Sequence, residues 1–183
     1  MTAPIETASA DLVALAIERH ESALIRYAAS ILGDVERARE VVQDTFLKLC
    51  TAAPEKIRDR LAQWLFTVCR NRAFDVRKKD GRMSPLTEVD LETRPRPGPK
   101  PLDELERQET LRQVLDVVRQ LPDKEREVLT LKFGCDLSYR EISGITALSV
   151  SHVGVLIHNG VARIRKNLQS DSSPAPSLVR RLS

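Results

Sequence analysis

The chain has 183 residues, 42% apolar and 30% charged, with a formal net charge of +3 and an isoelectric point near 8.9. That length fits one large or two small domains. Aromatic residues are only 4% and alternating β-branched runs are hard to find, which excludes most sheet architectures and favours helices. So small a net charge permits nucleic-acid binding without indicating it.

Seven helices follow from periodicity and punctuation. The first is predicted from about Asp11 to Leu32, with Leu12, Leu15, Ala16, Leu24, Tyr27, Ala28 and Ile31 at helical spacing and Gly33 as its stop. Asp34 caps the second, which carries the stripe Val35, Ala38, Val41, Val42, Thr45, Phe46 and Leu49 and ends before Pro54. The third starts near Asp59 or Arg60 and ends around Lys79. Residues 80–102 then hold Pro85, Pro95, Pro97, Pro99 and Pro101. Such spacing forbids helix and reads as an extended, semi-stiff interdomain linker.

The second helical block spans residues 103–168. Asp103 caps a helix to Gln120, and Pro122 opens the next, which ends by Gly134. Ser138 and Glu141 form a capping box, so a helix starts there and ends near Ala147. Ser149 caps the last helix. Residues 169–183, with SDSSPAPSLVRRLS, read as a disordered tail. The layout is an all-α chain of two small helical domains, residues 1–79 and 103–168, joined by the Pro-rich linker. Acidic and basic residues nearly cancel in each block.

Cys50, Cys69 and Cys135 are far apart, form no CxxC, and have no His at metal-ligand spacing. They read as reduced, buried thiols of a cytoplasmic protein. The opening MTAPIETASADL lacks a basic segment and a long apolar run, so no secretory leader is expected. No stretch reaches the length of a membrane span. His20, His152 and His158 form no visible triad or metal set. No enzymatic activity and no metal or small cofactor is expected.

Three stretches invite function. The second helix shows Glu36, Arg37, Glu40, Gln43, Asp44 and Lys48 opposite its stripe, either a solvated face or a docking surface. In the third, QWLFTVCRNRAFDVRKK, Arg70, Asn71, Arg77, Lys78 and Lys79 gather toward the C-terminal end, where they either complement the helix dipole or contact phosphates. The last two helices, LSYREISGITALSVSHVGVLI, have two caps around a short break, with Ile142, Ile145, Leu148, Val153 and Ile157 to lock them. That is helix-turn-helix spacing, shared in part with an ordinary helical hairpin.

The whole chain resembles a bacterial RNA polymerase sigma factor of the extracytoplasmic-function (ECF) group. DVERAREVVQDTFLKL resembles the family's polymerase-docking segment of region two, and QWLFTVCRNRAFDVRKK the segment that melts and reads the promoter −10 element. LPDKEREVLTLKF followed by LSYREISGITALSVSHVGVLIHNGVARIRKNL resembles region four, which reads the −35 element. The resemblance implies that residues 1–79 dock on core polymerase, through the β′ clamp helices, and handle the −10 element. Residues 103–168 would then read the −35 element, with the linker threading the polymerase. The partners implied are core RNA polymerase, its β′ and β subunits included, promoter DNA, and an anti-sigma factor by analogy.

By the same resemblance, Glu40, Gln43, Asp44, Phe46 and Lys48 face the polymerase. Ile57, Arg58, Asp59 and Arg60 form the tip of the −10 loop, and Arg70, Asn71, Arg77 and Lys78 contact −10 DNA. The family's loop is richer in aromatic and Gly residues than TAAPEKIRDRLAQ. Ser149, Ser151, His152, Val155, Asn159, Arg163, Arg165 and Lys166 are the −35 readers. Family recognition helices commonly carry Lys and Arg where this chain has Gly154, Leu156 and Asn159. The buried stripe of that helix is expected at Val150, Val153, Ile157, Val161, Ile164 and Leu168. A stand-alone helix-turn-helix regulator, or a sigma-derived protein adaptor with weak DNA binding, is the alternative.

Overall fold

The computed structural model describes residues 3–52, 57–79 and 114–171, with side chains over 10–52, 57–79 and 114–168. Among these residues every regular element is a helix. The expected linker at 80–102, the start of the helix expected from Asp103, and most of the tail expected at 169–183 lie outside them; residues 169–171 of that expected tail belong instead to the last helix. Residues 114–119 of that expected helix are helical.

Helix α1 (Ala3–Leu32) begins earlier than the pattern implied. Pro4 lies in its first turn, where a missing N–H goes unused. Gly33 stops it with φ 72°, and its N–H donates to the Ala29 carbonyl at 2.8 Å. Asp34 then starts α2 (Val35–Cys50), its carboxylate accepting from the N–H groups of Glu36 and Arg37 at 2.9 and 3.2 Å. This two-residue corner brings α2 back along α1. The stripe Ala38, Val41, Val42, Thr45, Phe46 and Leu49 is buried as its spacing implied. The Thr45 hydroxyl, in apolar surroundings, donates to the Val41 carbonyl at 2.8 Å. A 3-10 turn (Arg58–Arg60) leads into α3 (Leu61–Lys79), which buries Leu65, Phe66, Cys69 and Ala73. Tyr27 of α1 meets Phe66 of α3 with ring centroids 5.6 Å apart, tilted by 56°.

The second block opens with Arg126 bracing the end of the helical segment at 114–119. Its guanidinium donates to the Arg119 carbonyl at 2.9 Å. Helix α4 (Asp123–Leu129) follows Pro122 and passes directly into a π-helical turn, Thr130–Gly134. Helix α5 (Tyr139–Thr146) starts with the capping box expected at Ser138 and Glu141. Helix α6 (Val150–Asp171) follows a break of three residues, in which Ala147 adopts a left-handed φ of 58°. The Ser143 hydroxyl donates to the Leu148 carbonyl at 2.6 Å and holds that corner. Ile142, Ile145, Val153 and Ile157 are buried, so the two helices lock as a helix-turn-helix. The expected stripe fails at Val150, which is 45% exposed because it is the first residue of its helix and has no preceding turn to cover it. Leu15 of α1 also departs, at 38% exposed.

The two blocks do not lie apart. Helix α5 packs on α3, and the π turn packs on α1. Buried apolar residues of both blocks form one continuous cluster.

Two substitutions check this packing. Ala147→Gly is expected to raise stability by about 0.5–1 kcal/mol, since Gly accepts the left-handed conformation without strain. Gly160→Ala is expected to lower it by about 1–2 kcal/mol, because an added Cβ would sit 2.6 Å from Leu129 Cδ1. That overpacking outweighs the better helix propensity of Ala. Urea unfolding midpoints measure both.

Candidate polymerase and promoter interface

The outward face of α2 presents Glu40, Gln43, Leu47 and Lys48, all exposed. Leu47 is 65% exposed, an apolar side chain in the middle of a charged face. It was legible in the sequence as a Leu one step off the buried stripe, but that signal is weak by itself. Asp44 is less available than its position implied, for its carboxylate accepts from Arg72 Nε of α3 at 2.8 Å. Phe46 does not reach this surface. It is 8% exposed and belongs to the core, because it falls on the same stripe as Val42 and Leu49.

Arg58, Asp59 and Arg60 stand exposed at the turn before α3. Ile57 is not with them at a loop tip. It is 5% exposed and anchors the turn in the core, so the apolar residue of this stretch holds the charged ones in place.

Along α3, Arg70, Asn71, Phe74 and Asp75 line a shallow, open hollow. The Phe74 ring carries the guanidinium carbons of Arg70 and Arg77 at 4.7 and 4.5 Å from its centroid. Asn71 and Lys78 are exposed. Phe74 and Asp75 share this face with the expected residues because they lie three or four positions from them, a helical neighbourhood that charge alone did not single out.

Arg70 is engaged from across the seam between the blocks. Its Nε donates to Glu127 Oε1 of α4 at 2.7 Å, and its Nη2 lies 3.3 Å from Oε2. The Tyr27 hydroxyl of α1 donates to the same carboxylate at 2.8 Å. Burial works against the Arg70 cation, but hydrogen bonding and charge from Glu127 outweigh it and raise its pKa above the usual value. Burial first, then the Glu127 charge, pushes the Tyr27 hydroxyl well above its usual pKa of 10.0.

On α6, Ser149 accepts from the His152 N–H at 3.2 Å and so caps the helix. Ser151, His152, Val155 and Asn159 are exposed, with Val155 at 55%. Arg165 and Lys166 are exposed further along. Arg163 is committed elsewhere, its Nε lying 3.1 Å from Glu125 Oε2, a carboxylate whose side chain is only 8% exposed. That contact is within ion-pair reach but not aligned as a hydrogen bond, so Glu125 Oε2 has no hydrogen-bond partner among the described residues.

Burial pushes the Cys69 and Cys135 thiols up to about 12, so both stay protonated at neutral pH. Cys50 is exposed. Among the described residues no group of His, Cys, Asp and Glu could hold a metal ion, and no single helix is long and apolar enough to cross a membrane.

Two stretches of the chain match known family models. Residues 16–83 match sigma-70 region 2, and residues 111–164 match sigma-70 region 4. The chain is 29% identical over 165 residues to the ECF RNA polymerase sigma factor SigL of Mycobacterium tuberculosis, covering 88% of this chain and 92% of SigL. It is 28% identical over 134 residues to the ECF sigma factor RpoE of Cereibacter sphaeroides, covering 72% of each. Among solved structures, CnrH in complex with the cytosolic domain of CnrY matches at 25% identity and a TM-score of 0.60, covering 87% of this chain and 89% of CnrH. With region 2 and region 4 in order on one chain, and relatives of this kind along most of its length, the chain belongs to the sigma-70 family, in its ECF group.

Proposed function

We propose that the protein serves core RNA polymerase as a promoter-specificity subunit, with three helix faces dividing the work. The single observation behind this reading is the pairing of a region two bundle with a capped helix-turn-helix on one chain. In this reading the α2 face with Glu40, Gln43, Leu47 and Lys48 docks on the polymerase, Leu47 supplying the apolar contact and the charged rim the register. Asp44 stands beside it, held by Arg72. The family is non-catalytic, and the work is recognition. It takes place in the cytoplasm, where the polymerase is.

The hollow on α3 suits an unstacked −10 base. Asn71 offers both a donor and an acceptor to a base edge, and Arg77 and Lys78 offer charge to phosphates. Arg58, Asp59 and Arg60 flank this site. On α6 the N-terminal end enters the major groove. Ser151, His152 and Asn159 then face base edges, Val155 meets a thymine methyl, and Arg165 and Lys166 lie by the backbone. CnrH is bound by the cytosolic domain of CnrY. A protein that seized this chain in the same way would be its anti-sigma factor.

Run-off transcription with purified core polymerase on a promoter library tests the whole reading, and initiation no better than core alone overturns it. Leu47→Asp is expected to weaken core binding by roughly tenfold or more with an unchanged melting temperature. It is a cleaner probe than Asp44→Arg, which would set two guanidinium groups against each other at the Arg72 contact. Binding to a −35 duplex is expected to have a log–log salt slope of about −2 to −3, from Arg165, Lys166 and at most one more cation. A slope steeper than about −5 would show that this face reads through charge after all.

A further inference from the structure

Helix α4 spends a charged residue on its inner face. Its buried residues are Glu125, Val128 and Leu129, which share one side because they lie three and four positions apart. Two of them are apolar, as a core-facing stripe requires, and the other is a carboxylate in a residue only 6% exposed. Such a group is costly to bury unless a cation comes with it. The cation comes from α6. Gly160 lets the two helices run close, since a Cβ there would meet Leu129 Cδ1 at 2.6 Å and Glu125 Cβ at 3.7 Å. Arg163, one turn further on, then sets its Nε 3.1 Å from Glu125 Oε2. We propose that Glu125 is a positioning residue for duplex reading by α6: it holds Arg163 on the flank of the helix and cancels its charge, so that α6 meets DNA with one cation fewer than its sequence carries. This assignment rests on the −35 reading of α6.

Placement supports it first. At a turn of 100° per residue, Arg163 stands about 60° around the helix from buried Gly160 and about 100° from exposed Ala162. Its Nε therefore turns toward α4 and not toward the middle of the outward face. Charge supports it next. From Val150 to Leu168, α6 holds no Asp or Glu, and its cations are Arg163, Arg165 and Lys166. Each cation that meets a phosphate adds affinity for any duplex, whatever its sequence. Glu125 removes one of the three from that sum. The balance shifts toward Ser151, His152, Val155 and Asn159, which act on base edges at contact distance. The last support is what release would cost. Glu125 Oε2 is buried with no hydrogen-bond partner among the described residues, so the compensation it receives is the nearby charge of Arg163. Moving Arg163 to a phosphate would strand that carboxylate, a cost that a solvated surface pair would not impose.

The test is a double-mutant cycle on the full chain, with Glu125→Met, Arg163→Met and the two together. Met suits the apolar stripe of α4 and removes the charge; Glu125→Gln, which keeps the shape, replaces it should the Met variant not fold. The probe is a duplex carrying the −35 element of a promoter returned by the run-off library. The readout is the log–log salt slope of binding, which a merely structural role would not move. Glu125→Met is expected to steepen the slope by about 0.9, so that about threefold more affinity is lost between roughly 50 and 200 mM salt. Arg163→Met alone is expected to leave the slope unchanged and to lower the melting temperature, because it strands Glu125. The double variant is expected to return to the wild-type slope with its melting temperature restored. Should Arg163→Met not fold, Glu125→Met against the double variant still isolates Arg163. A slope that flattens in Arg163→Met would place Arg163 on the DNA already and overturn the proposal. So would a folded Glu125→Met with no steeper slope, or a steeper slope that persists in the double variant. A library that returns no promoter sinks the sigma-factor reading and takes this assignment with it, so the two failures are told apart by the step at which they occur.

Discussion

The two helical blocks are joined by one continuous apolar cluster, and a single, largely buried carboxylate is set into the seam beside it. Glu127 sits in the seam with its side chain 13% exposed, and its charge is compensated by one guanidinium and one phenol, both from the other block. An ionised group in such a place is costly unless it is paired and hydrogen-bonded. Its partners are in turn fixed by the first block's packing. Tyr27 is fully buried against Phe66, and Arg70 lies one helix position from the buried Cys69. This hydrogen-bonded ion pair is therefore assembled by the core of region two and completed by region four.

Several polar groups among the described residues are held in the same way, by partners that other helices or turns position. Asp44 is held by Arg72, Arg163 by Glu125, and Arg126 by the carbonyl of Arg119. The surface left for partners is smaller than the charge pattern suggests. Of the α2 face, the side chains open to a partner are chiefly Glu40, Gln43, Leu47 and Lys48. Of α6, the first half offers hydroxyl, imidazole, amide and methyl groups, and cations come only later. Recognition with such a set depends on short-range fit more than on long-range attraction.

Much of this was written in the chain. The caps at Asp34, Ser138 and Ser149 and the stop at Gly33 fixed helix ends, because a short polar side chain or a missing Cβ acts within its own turn. The α2 stripe was legible for the same local reason. Phe46 and Ile57 were misplaced, since a functional motif says which segment meets a partner but not which side chains the segment spends on its own core. Val150 was misplaced by treating a helix start as if it had a full turn behind it. Phe74 and Leu47 were missed because apolar residues on a charged face look like noise until burial is known.

The sequence by itself determined most of the described helices, their order and the family, all of which depend on local periodicity, caps and contiguous motifs. Only the tertiary structure decided which charges are available. Whether Arg70, Asp44 or Arg163 can meet a partner depends on Glu127, Arg72 and Glu125, which are 57, 28 and 38 positions away along the chain. Ion pairing acts over a few ångströms in space, and no periodicity in one dimension encodes which distant carboxylate will arrive there.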